Sequence, residues 1–174
     1  ESLRAEYIQL LMKDEKTALA SEQYAILARL HHEHGALTDA IAAYQSALDL
    51  NPSNEEVMMA LVRLYMQQKN DAESLRLIRA LSGLHEHRDE YVEAIAVLRI
   101  AFEIDRESIE IRQKIIEILL ARKATDEALA ELENLRSIHE QNEDWDAAAQ
   151  VLQQKIELVN DDPALREDLI DLLR

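Results

Sequence analysis

Six histidines gather at three places in this chain: His31, His32 and His34; His85 and His87; and His139. Imidazole titrates near neutrality and is the commonest transition-metal ligand, so such clusters could bind a metal or respond to pH. His31 and His34 stand one helical turn apart with Glu33 beside them, but that pair lacks a third fixed ligand. All six lie in or near the last turns of segments that read as helices, where the negative end of the helix dipole favours an imidazolium. No metal and no cofactor are expected, and a His-dependent metal or pH-responsive site at His31/His34 stands as the alternative. Carboxylates are plentiful, but an acid–base pair needs two environments that drive its pKa values apart. The run Glu140, Glu143, Asp144 and Asp146 reads as a solvated loop and cap. No serine sits in a G-x-S-x-G turn. The chain has no cysteine, which excludes thiol nucleophiles, zinc fingers, iron–sulfur clusters and disulfides. Gly35 and Gly83 are the only glycines, too few for a phosphate-cradling loop. Catalysis is not expected. Arg76 and Arg79 share a helical face, with Arg63 on the helix before, and could anchor an acidic side chain or peptide carboxylate. The ordinary reading of such cations is weak surface pairing.

These residues sit in a chain of 174, of which 48% is hydrophobic and 31% charged. That length suggests one domain. Two glycines and two prolines cannot supply the turns of a β-sandwich or barrel. Nineteen Lys and Arg against 35 Asp and Glu leave a net charge of −16. That field repels phosphate backbones and anionic membrane surfaces, so neither nucleic acid nor membrane is an expected partner. No apolar run approaches the ~18 residues that cross a bilayer, and no signal-peptide pattern opens the chain. The missing cysteines fit a reducing compartment, with the cytoplasm as the default.

The positions are held by a repeat. His31, His85 and His139 recur at a constant interval of 54 residues, as do Leu27, Leu81 and Leu135, and Ala40, Ala94 and Ala148. Leu37, Tyr91 and Trp145 share that register, as do Tyr44, Leu98 and Leu152. Residues 1–54, 55–108 and 109–162 are therefore three copies, and 163–174 reads as the start of a fourth in what would be part of a longer protein.

Each copy reads as three helices. In the third, Ile111, Ile115, Ile118 and Leu119 form one apolar stripe, Ala128, Leu132, Leu135 and Ile138 a second, and Trp145, Ala148, Leu152, Ile156 and Val159 a third. Ser53 with Glu56, Asn70 with Glu73, and Asp162 before Pro163 are spaced as helix N-caps. The spacing predicts helices near 2–13, 17–34, 37–50, 54–68, 71–87, 91–104, 108–121, 125–141, 144–159 and 163–173, packed antiparallel across short breaks. Those breaks prevent the sustained heptad of a coiled coil. Tyr91 and Trp145, each at the start of a third helix, read as staples closing the preceding turn.

Residues 21–54 resemble a tetratricopeptide repeat (TPR), through Tyr24, Leu27, Ala28, His31, Ala40, Tyr44, Ala47 and Pro52. The second copy matches through Ile78, Leu81, Ser82, His85, Ala94, Leu98 and Ala101. The third matches through Leu132, Leu135, Arg136, His139, Ala148 and Leu152, with Lys155 in place of the small residue. In that pattern His31, His85 and His139 fill a slot usually given to an aromatic. The departure is one additional helix per copy. The resemblance implies an all-α, right-handed TPR-like α-α superhelix (solenoid) of about ten antiparallel helices in three 54-residue, three-helix units, forming a single domain over 1–174.

A solenoid of this kind implies a non-enzymatic protein–protein interaction scaffold or adaptor that binds a protein or peptide on its surface. The net charge of −16 points to a basic patch on that partner. Glu22, Arg29, His32, Arg63, Arg76 and Arg79 are the candidate partner-binding residues. The Lys and Asn set with which some members clamp a chaperone's C-terminal carboxylate is absent from Glu22, Ala25, Arg29 and His32, which disfavours that adaptor type. A structural, self-associating role through exposed terminal helices is the rival reading.

Overall fold

The computed structural model describes residues 2–159 and 163–172. Ten α-helices follow one another within them: α1 (Ser2–Lys13), α2 (Thr17–Glu33), α3 (Leu37–Leu50), α4 (Glu55–Gln67), α5 (Asp71–Glu86), α6 (Tyr91–Ile100), α7 (Ile109–Ala121), α8 (Thr125–Gln141), α9 (Trp145–Leu158) and α10 (Pro163–Leu172). The described residues contain no strand, and the helices fall within a few residues of the segments expected from periodicity. The sixth is the one that differs most. It ends at Ile100 and tightens into a 3₁₀ turn over Ala101–Glu103, which uses carbonyls an α-helix end would leave unpaired. The expected cap at Ser53 is displaced by one residue. Because α4 starts at Glu55, Asn54 is the residue whose Oδ1 accepts the Val57 N–H, at 3.1 Å, while Ser53 Oγ donates to Asn51 Oδ1 at 3.2 Å. Asn70 accepts the Glu73 N–H at 3.4 Å, as its spacing suggested. The expected cap at Asp162 lies outside the described residues.

The chain leaves six of these helices by one device. Glu15, Gly35, Lys69, Asp89, Lys123 and Glu143 take left-handed backbone angles, with φ between 56° and 75°. The residue after each donates its N–H to the carbonyl five positions back: Lys16 to Leu11, Ala36 to His31, Asn70 to Tyr65, Glu90 to His85, Ala124 to Leu119 and Asp144 to His139, all at 2.8–2.9 Å. This is the Schellman ending, which satisfies helix carbonyls while reversing the chain. Positions 15, 69 and 123, and likewise 35, 89 and 143, stand 54 apart, so the backbone repeats at the interval read from side chains. Tyr91 fastens one of these turns by donating its hydroxyl to Asp89 Oδ1 at 2.8 Å, whereas Trp145 stays half exposed.

The chain divides into two compact units, Glu1–Leu84 and His85–Arg174. In the first, α2 packs between α1 and α3, and α3 carries α4. Ala20, Ala28, Ala40 and Ala47 have no exposed surface, and with nothing beyond Cβ they let the helices approach closely. Ser21 Oγ crosses that contact to the Ala47 carbonyl at 2.8 Å. Val57, Leu61, Val62 and Leu64 fill the space under α4.

In the second unit α7 packs on α6, α8 lies between α7 and α9, and α10 rests on α9. Ile116, Leu132, Leu135 and Val151 form its apolar centre, covered by Ile109, Leu120 and Leu158. Charges are folded into this unit in pairs. Arg112 donates to Glu131 at 2.5 Å and lies over the Phe102 ring, 4.8 Å from its centroid. Lys155, in register with Ala47 and Ala101, is buried and bonds Glu133, which also accepts from Arg136 at 2.5 Å. The lysine stem fills the alanine's place while its ammonium reaches a carboxylate. Burial pushes the Glu133 carboxyl up, but Lys155 and Arg136 more than reverse this and hold it below the usual carboxylate range.

Two measurements test this architecture. An added Cβ at Gly35 would meet nothing within 4 Å, so only its left-handed backbone resists substitution. Gly35→Ala should lower stability by about 1 kcal/mol, and Lys123→Gly should raise it by roughly 0.5–1 kcal/mol, both read from thermal melts. Because the folded pKa of Glu133 is depressed, its contribution is complete above the unfolded carboxylate pKa and fades as pH falls through the folded value. The Tm of wild type should therefore exceed that of Glu133→Gln near neutrality, and the two curves should converge in acid. Parallel curves would refute the pairing.

Candidate functional site

The first unit has a groove of about 470 Å³ between α2, α3 and α4. Helical spacing builds its walls: Arg29, His32 and Glu33 lie a turn apart on α2, and Glu56, Ala60, Arg63 and Gln67 lie along one face of α4. Tyr44 of α3 closes the floor beside Leu64, with Met59 at the side. Tyr44 is almost fully buried. Burial pushes its phenol pKa up. Arg29 opposes that shift, while Glu56 and Glu33 add to it, so the hydroxyl stays protonated and able to donate.

Arg29 Nη1 reaches Glu56 Oε1 across the mouth at 3.3 Å. Both groups are at least half exposed, and a pair in that setting contributes little stability, so a competing carboxylate can draw the guanidinium away. Arg63 and His32 are exposed, and among the described residues neither has a hydrogen-bond or ion-pair partner. Two guanidiniums therefore balance two carboxylates here, in a chain whose net charge is −16. The groove combines a locally neutral, donor-rich rim with an apolar floor.

Of the residues singled out from the sequence, the fold brings Arg29, His32 and Arg63 together. Glu22 is exposed on α2 away from the groove. Arg76 and Arg79 lie exposed on α5, where Arg76 Nε is engaged by Glu73 of its own helix at 2.7 Å. Tyr44, Glu56, Met59 and Gln67 complete the groove and were not among the sequence candidates. The α4 spacing of Glu56, Ala60, Arg63 and Gln67 is the signal that could have found two of them, Glu56 and Gln67.

The second unit has its own groove of about 450 Å³ between α7, α8 and α9, with Gln113, Gln150 and Gln154 around Ile116, Leu135 and Val151. His139 lines it but turns Nδ1 toward Asp144 Oδ2, 3.6 Å away. In the preceding copy His85 Nδ1 meets Glu90 Oε2 at 2.7 Å, the same register. Both histidines sit at Schellman turns; His85 hydrogen-bonds across its turn, whereas the buried His139 Nδ1 has no hydrogen-bond partner among the described residues. His31 is half-buried and His34 exposed; among the described residues no three His, Cys, Asp or Glu side chains converge as metal ligands. No described helix is long and apolar enough to cross a membrane.

Three family models, each described as a tetratricopeptide repeat, match residues 5–55, 31–90 and 131–166. Solved structures with a similar fold include the MamA protein, at 17% identity over 88% of this chain and 87% of that one, with a TM-score of 0.39. YrrB, described as a TPR protein with an unusual peptide-binding site, is 18% identical over 91% of this chain and 94% of its own, with a TM-score of 0.34. The N-terminal domain of stress-induced protein-1 from C. elegans is 14% identical over 91% and 98%, with a TM-score of 0.38. No curated protein sequence matches the chain.

Arg29→Ala should push the Tyr44 phenol pKa up further, because the cation that lowers it is gone while Glu56 and Glu33 remain. Ultraviolet titration of tyrosinate, with Tyr44→Phe identifying the signal, measures this; a downward or absent shift would contradict the geometry.

Proposed function

Because the chain belongs to the tetratricopeptide repeat family, we propose that it is a non-catalytic scaffold whose groove between α2, α3 and α4 binds a segment of a protein partner. The observation that carries the proposal is the meeting of Arg29, His32 and Arg63 above the Tyr44 floor, on three helices that the repeat packs side by side. Such a rim suits a peptide with a carboxylate for Arg63 or Arg29, an acceptor for the Tyr44 hydroxyl, and an apolar side chain against Met59, Ala60 and Leu64. The remaining acidic surface suits a partner that is basic outside that segment, and this long-range attraction speeds encounter more than it tightens the complex. Glu22, Arg76 and Arg79 would contribute only where the partner extends beyond the groove. A cysteine-free composition supports a reducing, cytoplasmic setting for this role. The 54-residue recurrence of the turns supports units at 1–54, 55–108 and 109–162 acting as one repeat domain.

Affinity capture with the immobilised chain, followed by anisotropy titration of the captured partner's peptides, tests the proposal. Arg63→Glu should weaken saturable binding by at least about tenfold, or 1.4 kcal/mol, without changing the melting temperature. Arg76→Ala should change it little. Binding that ignores Arg63, or the lack of any saturable protein partner, would remove this reading.

A further inference from the structure

The groove between α2, α3 and α4 is balanced in charge, and one of its members can tip the balance. Arg29 and Arg63 bring two positive charges, Glu33 and Glu56 two negative, and His32, Tyr44 and Gln67 complete the polar lining. His32 is exposed on α2, one turn from Arg29 and beside Glu33, and among the described residues it has no hydrogen-bond or ion-pair partner. It lies in the last turn of α2, at the negative end of the helix dipole. The charged and titratable groups that share the groove with it are Arg29 and Glu33 on its own helix, Tyr44 on α3, and Glu56 and Arg63 on α4. Helix α1 also packs on α2 but contributes nothing to the groove lining, and neither do His31 and His34.

Of the side-chain types in this lining, imidazole alone ordinarily changes charge between about pH 5 and 8. Carboxylates, guanidiniums and phenols keep their state over that range, and burial pushes the Tyr44 phenol further from it. One proton on His32 therefore turns two charges against two into three against two, at the exposed mouth where a ligand arrives. In a chain of net charge −16, such a local positive excess is what lets an acidic segment settle against the Tyr44 floor. Arg29 is engaged by Glu56, which leaves Arg63 on the α4 wall and His32 on the α2 wall as the open polar groups for two separate carboxylates. Resting on the reading of this groove as a peptide site, we propose that His32 is its proton-controlled specificity residue. Protonated, it joins Arg63 in holding a partner segment that carries two carboxylates; deprotonated, it releases one of them, so affinity falls as pH rises. The fold is left alone by this step, because an exposed imidazole without partners contributes little stability in either state.

Random-peptide phage display panned on the full chain at about pH 5.5 supplies the probes, made as acetylated, histidine-free peptides so that only the protein titrates over the range. Peptides whose binding Arg63→Glu abolishes report the groove, and they should carry two Asp or Glu. Their Kd, from fluorescence anisotropy, should be at least about threefold lower near pH 5.5 than near pH 8, the scale of one exposed charge pair. His32→Gln should remove that difference apart from the small share due to the chain's other histidines. His32→Arg should bind tightly at both pH values, and His34→Gln, outside the groove, should behave as wild type. All three variants should keep the helical circular dichroism of wild type. The proposal alone is overturned if Arg63-dependent peptides bind equally at both pH values, or if His32→Gln keeps the full difference. If no peptide depends on Arg63, the peptide-site reading of the groove fails and takes this proposal with it.

Discussion

An amphipathic helix buries its stripe only if the chain leaves it at an angle that returns the next stripe to the same side. Here that angle is set by a single left-handed residue and the backbone bond that spans it, used after α1, α2, α4, α5, α7 and α8. Only Gly35 takes the conformation without steric opposition; the other five residues hold it at about 1–2 kcal/mol each, so the surrounding packing must outweigh that strain. Alanine contacts do so. With Ala28, Ala40 and Ala47 in the first unit and Ala128 and Ala148 in the second wholly buried, neighbouring helices come close enough for larger side chains on either flank to interlock. Turn and contact support each other: a bulkier residue at either place would tilt the next helix and undo its pairing.

The groove is a consequence of that spacing. Tyr44 belongs to the apolar stripe of α3, yet its hydroxyl end reaches the seam where α2 and α4 diverge, and the polar flanks of those two helices form the rim. The same side chain thus closes the core with its ring and offers a donor at the surface. The exposed Arg29–Glu56 pair contributes little to the fold for the reason that makes it suited to recognition, since water already competes for both ends.

Helices and repeat were legible because both are periodic: 3.6-residue stripes and a 54-residue register survive even where residue types drift. What lacked a periodic or compositional marker stayed hidden. Glu15, Lys69, Asp89, Lys123 and Glu143 give no hint of left-handed backbone, since that ending is normally announced by glycine. Lys155 in an alanine position read as a weakened match, and only its distance to Glu133, 22 residues earlier, shows a compensated burial. Arg29, His32 and Arg63 could be named, but their convergence with Tyr44 depends on the mutual placement of three helices. Arg76 and Arg79 looked equally promising in sequence, yet lie on a helix that does not line the groove.

The net charge of −16 bears on the proposed groove contact through its sign. On the proposed reading, a partner that is basic outside the bound segment is drawn to the groove by the field of the whole chain, an attraction that added salt weakens. On that reading the acidic excess is more than a solubilising coat: it speeds encounter with a partner that the rim and floor of the groove then select.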